Sequence, residues 1–304
     1  MVKDANRSAG TLTPSAKQGD FGVGFAVAAP ARQTVPLVLA SPHSGRRYGK
    51  EFLALSRLGI AALRRSEDSF VDELVGEAPA RGAPVLRALF PRALVDVNRE
   101  PLELDPAMFT DRPPAYANTT SPRVHCGLGT IPRVAASGAA IYRRRLAYGQ
   151  ARARILDLYF PYHRTLRQLL AETVRRFGFA ILIDCHSMPS QAANAAGGGQ
   201  GLDIVLGDRH GAACAAIVVA RAEAVLRERG YRVGRNRPYA GGFTTKYYGR
   251  PDLGVHAVQI EINRALYMDE NRVRRGPHMK RLAADLGILV DALGQIAPFA
   301  RAAE

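Results

Sequence analysis

The stretch FAILIDCHSMPS, residues 179–190, opens on an unbroken apolar run and closes on His186. An apolar run without polar alternation fits a strand buried on both faces, as in a parallel sheet. VPLVLASPHSG, residues 35–45, repeats the plan and ends on His43. Open α/β sheets hold their ligands outside the carboxyl ends of the strands. Two imidazoles delivered there by separate strands can meet at one metal ion.

Working outward, strands are expected at Pro36–Ala40, Pro84–Ala88, Ala93–Val97, Phe179–Asp184, Leu202–Leu206 and His256–Ile262. Helix-like stretches separate them: Gly59–Arg65 continuing into Val71–Ala78, then Ala139–Arg176, Gly211–Arg229 and Pro277–Gln295. This alternation implies an α/β fold with helices on both faces of the sheet. In the longest stretch, Ile155, Leu158, Tyr159, Tyr162, Leu166, Leu169 and Leu170 form one apolar stripe. Pro161 is expected to kink it or to start a new helix. Residues 100–133 are rich in Pro, Thr, Asn and Gly, and too long for a plain connector, so a functional loop is expected. Two glycine-rich segments, residues 194–201 and 239–254, lack the glycine spacing of phosphate-binding loops.

The chain has 304 residues, 47% of them hydrophobic, enough for a full α/β core. Residues 1–20 read as a flexible polar tail without the apolar centre of a secretory signal, and residues 21–304 as one α/β domain. No apolar run reaches the roughly 18 residues needed to cross a bilayer, so no membrane partner is expected. The formal charge is +15, with arginines far outnumbering the five lysines. The basic residues are dispersed and carry no stacking-aromatic or helix-turn-helix pattern, so nucleic acid is not expected as a partner. Cys126, Cys185 and Cys214 form no CxxC pair, which points to free thiols in a reducing cytoplasm.

Three constellations carry chemistry. Hydrolytic zinc is held by three protein ligands drawn from His, Asp and Glu, leaving one position for water. His43, His186 and an acid from SEDSFVDEL (residues 66–74) would make such a set, with Asp68 and Glu67 as rivals for the third place. Asp184 is a candidate to orient His186 from behind. In ALVDV (93–97), Asp96 inside an apolar run is costly unless paired, and a structural salt bridge to an arginine with a cap is one reading of this segment. Asn98 and Arg99 follow it and suit a substrate carboxylate, Arg through a bidentate fork. In HAVQIEIN (256–263), Val258, Ile260 and Ile262 share one face while Gln259 and Glu261 share the other. A carboxylate in such a strand is either a general base or half of a buried ion pair. Thr244, Thr245, Lys246, Tyr248 and Arg250 precede it as candidates to bind an acid or an oxyanion. No Gly-x-Ser-x-Gly elbow is present. Cys185 and His186, adjacent in a strand, point to opposite faces.

Six motifs, VPLVLASPHSG, SEDSFVDEL, FPRALVDVNREP, DCHSMPS, GGFTTKYYGRP and HAVQIEINRALYMDE, occur in the order found in the N-formylglutamate amidohydrolase family. The chain resembles that family from about Phe25 to Leu293. The resemblance implies a mixed, mostly parallel sheet sandwiched by helices, similar to zinc carboxypeptidases and aspartoacylases (a phosphorylase/hydrolase-like fold). It implies hydrolysis of N-formyl-L-glutamate to formate and glutamate, late in histidine breakdown. It assigns one zinc ion per chain to His43, Asp68 and His186, and the role of base and then acid to Glu261. It gives Asn98 and Arg99 the substrate carboxylate, and Arg92 or Arg250 the oxyanion. The chain departs from the wider group in carrying Arg46 where a His-x-x-Glu ligand would fall, and Pro91 where relatives often have Ser. The rival functions are a metal hydrolase of another N-acyl amino acid or small peptide, and a basic binding protein without catalysis. The oligomeric state leaves no mark in the sequence.

Overall fold

The computed structural model describes residues 24–196 and 201–297. The tail expected over residues 1–20 and part of the 194–201 connector lie outside them. Seven strands form one sheet: β1 (Phe25–Ala28), β2 (Leu37–Ser41), β3 (Val85–Ala88), β4 (Ala180–Met188), β5 (Ile204–Gly207), β6 (Val233–Arg235) and β7 (Val255–Asn263). Their spatial order is β1-β3-β2-β4-β7-β5-β6. The central four, β3, β2, β4 and β7, run parallel, while β1 at one side and β5 with β6 at the other run opposite. This is the mixed, mostly parallel sheet that the family resemblance implies.

The strands' unbroken apolar character follows from burial on both faces. Leu37, Leu39, Ile181, Ile183, Val258 and Ile260 join one core, which is closed by helices Ala216–Glu228 and Met279–Gly294. Val38, Ala40, Ala180, Leu182 and Ala257 join the opposite core under helix Phe160–Phe177. Period-2 alternation therefore sends Asp184 and His186 of β4, and Gln259 and Glu261 of β7, to the second face. These side chains emerge where that core ends, at the strands' carboxyl termini.

Four expected elements differ. Ala93–Val97 is a buried turn segment and not a strand, and its amide at Asp96 donates to Thr130 O at 2.8 Å. Its residues are as buried as a central strand's, which is all that an apolar run reports. The first helical stretch is cut, into Ile60–Arg64 and Val71–Leu74, by Phe70 in the left-handed region at φ 67°. The long helix begins at Tyr148, not Ala139. It widens into a π-type turn at Ile155–Tyr159, where the Phe160 amide bonds back to Ile155 O. Pro161 follows at once, and the wider turn accommodates the donor it lacks. The connector's residues 194–196 close a short helix, Ser190–Ala196. No helix among the described residues is long and apolar enough to cross a membrane.

Candidate active site

Each central strand feeds one cavity of about 560 Å³. His43 follows β2, and the segment after β3 brings Arg92, Asp96, Asn98 and Arg99. β4 contributes His186, and β7 contributes Gln259 and Glu261. In the β4–β7 register His186 stands beside Glu261, and Asp184 beside Gln259.

His43, Asp68 and His186 are all buried, and one ligand atom from each lies within 4.8 Å of the others. His43 Nδ1 is 3.3 Å and His186 Nδ1 3.0 Å from the same oxygen, Asp68 Oδ2. The far nitrogens are committed elsewhere: His43 Nε2 is 2.7 Å from Asp96 Oδ1, and His186 Nε2 is 2.9 Å from Asp184 Oδ2. An ionised carboxylate only accepts hydrogen bonds, so each Nε2 carries the proton in the neutral ring. With both rings neutral in that form, two imidazole lone pairs and a carboxylate oxygen converge on one point. These three atoms could hold a cation between them, in place of the protons that otherwise link each Nδ1 to Asp68. The donor set is two nitrogens and one oxygen with carboxylates behind the rings, which fits a divalent metal of the catalytic type.

The surrounding contacts fix this arrangement. Asp68 Oδ1 accepts from Arg264 Nη2 at 3.1 Å and from Ser187 Oγ at 3.2 Å, leaving Oδ2 to face the imidazoles. Glu67, the rival ligand, turns away to Tyr48 OH, Arg64 Nε and Ser69 Oγ at 2.7–3.1 Å. Asp96 also receives Arg92 Nη2 at 2.7 Å and the Asn98 amide at 2.9 Å. The structural salt bridge expected as one alternative for this segment is present, and Asp96 contacts His43 as well. Burial opposes ionisation of Asp96, but Arg92, Arg99 and His43 hold its carboxyl well below the usual range. Burial likewise opposes charge on Asp68, and the hydrogen bonds from His186 and His43 outweigh it, again lowering the carboxyl well below its ordinary value. Burial disfavours charge on His186 too, yet Asp184, Asp68 and Glu261 raise its pKa well above that of a free imidazole.

Glu261 is different. Burial pushes its carboxyl up to about 7; His186 and Arg92 pull against this, and Asp68 and Asp184 add to it. Such a group can both take and give a proton near neutral pH. Gln259 Nε2 donates to Glu261 Oε1 at 2.7 Å, and Gln259 Oε1 is held by the Gly242 amide at 2.8 Å. A Cβ at position 242 would sit 2.5 Å from Asn98 Nδ2, so glycine lets this loop close against the site.

The other sequence candidates are placed as follows. Asn98 lines the cavity, with Nδ2 3.1 Å from His186 Nε2 and Oδ1 accepting the Thr244 amide at 2.8 Å. Arg99 lines it as well, braced by the carbonyls of Leu128 and Asn98 at 2.9 Å each. Thr244 and Thr245 are buried behind the cavity wall and do not line it. Arg250 is exposed and lines a separate cavity of about 400 Å³ with Tyr159, Phe160, Arg167 and Tyr247. Of the two arginines considered for the oxyanion, only Arg92 shares a cavity with Glu261. Cys185 lies in the opposite core, where burial raises its thiol pKa. Sequence reasoning missed Arg264, Ser187, Gln259 and Arg123 as parts of the site. Gln259 alone left a signal, as a polar neighbour of Glu261 on the same strand face.

Residues 35–268 match the profile of the N-formylglutamate amidohydrolase family. The chain is 34% identical over 242 residues to an N-formylglutamate deformylase of Pseudomonas aeruginosa, covering 79% of this chain and 84% of that protein. A Pseudomonas putida protein of the same description is 32% identical over 242 residues, covering 78% and 83%. Among solved structures, an N-formylglutamate amidohydrolase from Ralstonia eutropha superposes with a TM-score of 0.82 at 34% identity, over 90% of this chain and 97% of that one.

Proposed function

Because the chain belongs to the N-formylglutamate amidohydrolase family, we propose that it is a zinc-dependent hydrolase that cleaves N-formyl-L-glutamate into formate and L-glutamate. The observation that carries this is the convergence of His43, Asp68 and His186 beside Glu261 in one cavity. The donor set of two imidazoles and a carboxylate suits zinc. Bound there, zinc supplies Lewis acidity, polarising a carbonyl and acidifying water.

The chain's own residues supply the rest. Glu261 takes a proton from the attacking water and returns it to the departing amine nitrogen as the C–N bond breaks. Its raised pKa supports both halves of that exchange. Arg92, fixed by Asp96, offers its positive charge to the tetrahedral oxyanion. Arg99, with Asn98 beside it, takes the α-carboxylate of the substrate. The free cysteines suit a reducing cytoplasm, where this reaction would serve late in histidine breakdown.

Glu261→Gln tests the assignment. The variant is expected to retain zinc while formate release falls about 10²- to 10⁴-fold, the usual contribution of a positioned proton donor and acceptor. Near-wild-type turnover would remove Glu261 from this role.

A further inference from the structure

Four arginines line the catalytic cavity, Arg92, Arg99, Arg123 and Arg264, against three carboxylates, Asp68, Asp96 and Glu261. Three of the four are engaged. Arg264 bonds Asp68 at 3.1 Å, and Arg92 bonds Asp96 at 2.7 Å. Arg99 is braced by two carbonyls and stands 3.7 Å from Asp96. The Arg123 side chain makes no hydrogen bond or ion pair with any other described residue. A guanidinium facing a cavity without an acid partner is a ready receptor for a carboxylate.

The backbone that carries this exposed side chain is fixed in place. Arg123 sits on the short helix Pro122–His125, where the Val124 amide donates to Ser121 Oγ at 3.1 Å, and Ser121 Oγ in turn bonds Glu103. The Leu128 amide donates to Arg123 O at 2.8 Å, and Leu128 O accepts from Arg99 Nε at 2.9 Å. One residue thus ties the Arg123 helix to Arg99. Burial, and then the like charges of Arg92 and Arg123 against the pull of Asp96, depress the pKa of Arg99. The arginines are close enough to repel one another, and an anion between them would relieve that repulsion.

We propose that Arg123 is a specificity-determining residue that binds the side-chain carboxylate of a dicarboxylic N-acyl amino acid, while Arg99 holds the α-carboxylate. This rests on the amidohydrolase reading above and adds what selects an acidic amino acid over a neutral one.

The test compares kcat/KM for N-formyl-L-glutamate and N-formyl-L-glutamine, which differ in side-chain charge, in wild type, Arg123→Met and Arg123→Lys. The Met variant is expected to lose about 10- to 100-fold on N-formylglutamate, mostly through KM, and far less on N-formylglutamine. The Lys variant should recover part of the preference. Parallel losses on both substrates would indicate a merely structural residue and overturn the proposal, as would an unchanged preference in the Met variant. A wild type that cleaves both substrates equally well overturns the Arg123 assignment alone. A wild type that cleaves neither overturns the amidohydrolase reading and this proposal with it.

Discussion

Asp184 offers no atom to the converging trio, yet it decides what His186 can do. Its Oδ2, 2.9 Å from Nε2, holds a proton there and leaves Nδ1 facing Asp68. Asp96 does the same for His43, and is itself anchored by Arg92 and the Asn98 amide. Asp184→Asn should therefore weaken zinc binding about 10- to 100-fold, read by competition with a chelator. Unchanged affinity would mean that the carboxylate does not orient the ring. His43, His186 and Glu261 are legible in the sequence because strand ends and strand parity are local properties. The choice of Asp68 over Glu67 is not, since adjacent acids differ only in where a turn aims them. Arg264 left no signal either: it reaches Asp68 from 196 positions away.

At the scale of elements, the site is held where a helix, a buried turn and a loop helix meet. His163, on helix Phe160–Phe177, has Nε2 2.8 Å from Val97 O and Nδ1 2.8 Å from Tyr248 OH. It joins that helix to the segment carrying Asp96, Asn98 and Arg99, and to helix Phe243–Tyr248 beside Gly242. Burial lowers its pKa from 6.5 to about 4. Between those values the unfolded chain binds a proton that the folded one does not. Stability is thus whole above pH 6.5 and falls as the pH drops toward 4, by at most about 3 kcal/mol from this residue. Denaturant unfolding at a series of pH values should show this loss in the wild type and its absence in His163→Gln. Equal pH dependence in the two would contradict it. The same region shows why pattern reading fails locally. Ala93, Leu94, Val95 and Val97 are buried like strand residues, but the backbone there turns so that Asp96 meets His43. Hydrophobicity records burial, and the turn is imposed by partners such as Thr130 that are distant in sequence.

For the whole molecule, the sheet order is what assembles the chemistry. Parallel β3, β2, β4 and β7 deliver their carboxyl ends to one side, so residues from position 43 to position 264 share a single cavity. The alternation of strands and helices makes that much legible in the sequence. The reversed edges β1, β5 and β6 are not legible in it, because direction depends on pairing and not on composition. The net charge of +15 also acts at this scale, and it would favour the approach of the proposed anionic substrate. In the proposed reaction one zinc ion, held by His43, Asp68 and His186, is required for amide hydrolysis. The most direct measurement is metal content alongside formate release from N-formyl-L-glutamate, before and after chelation, in the wild type and in His186→Ala. The expected result is about one zinc per wild-type chain, activity lost on chelation and restored by zinc, and neither metal nor activity in the variant. Full activity in a metal-free wild-type sample would contradict it.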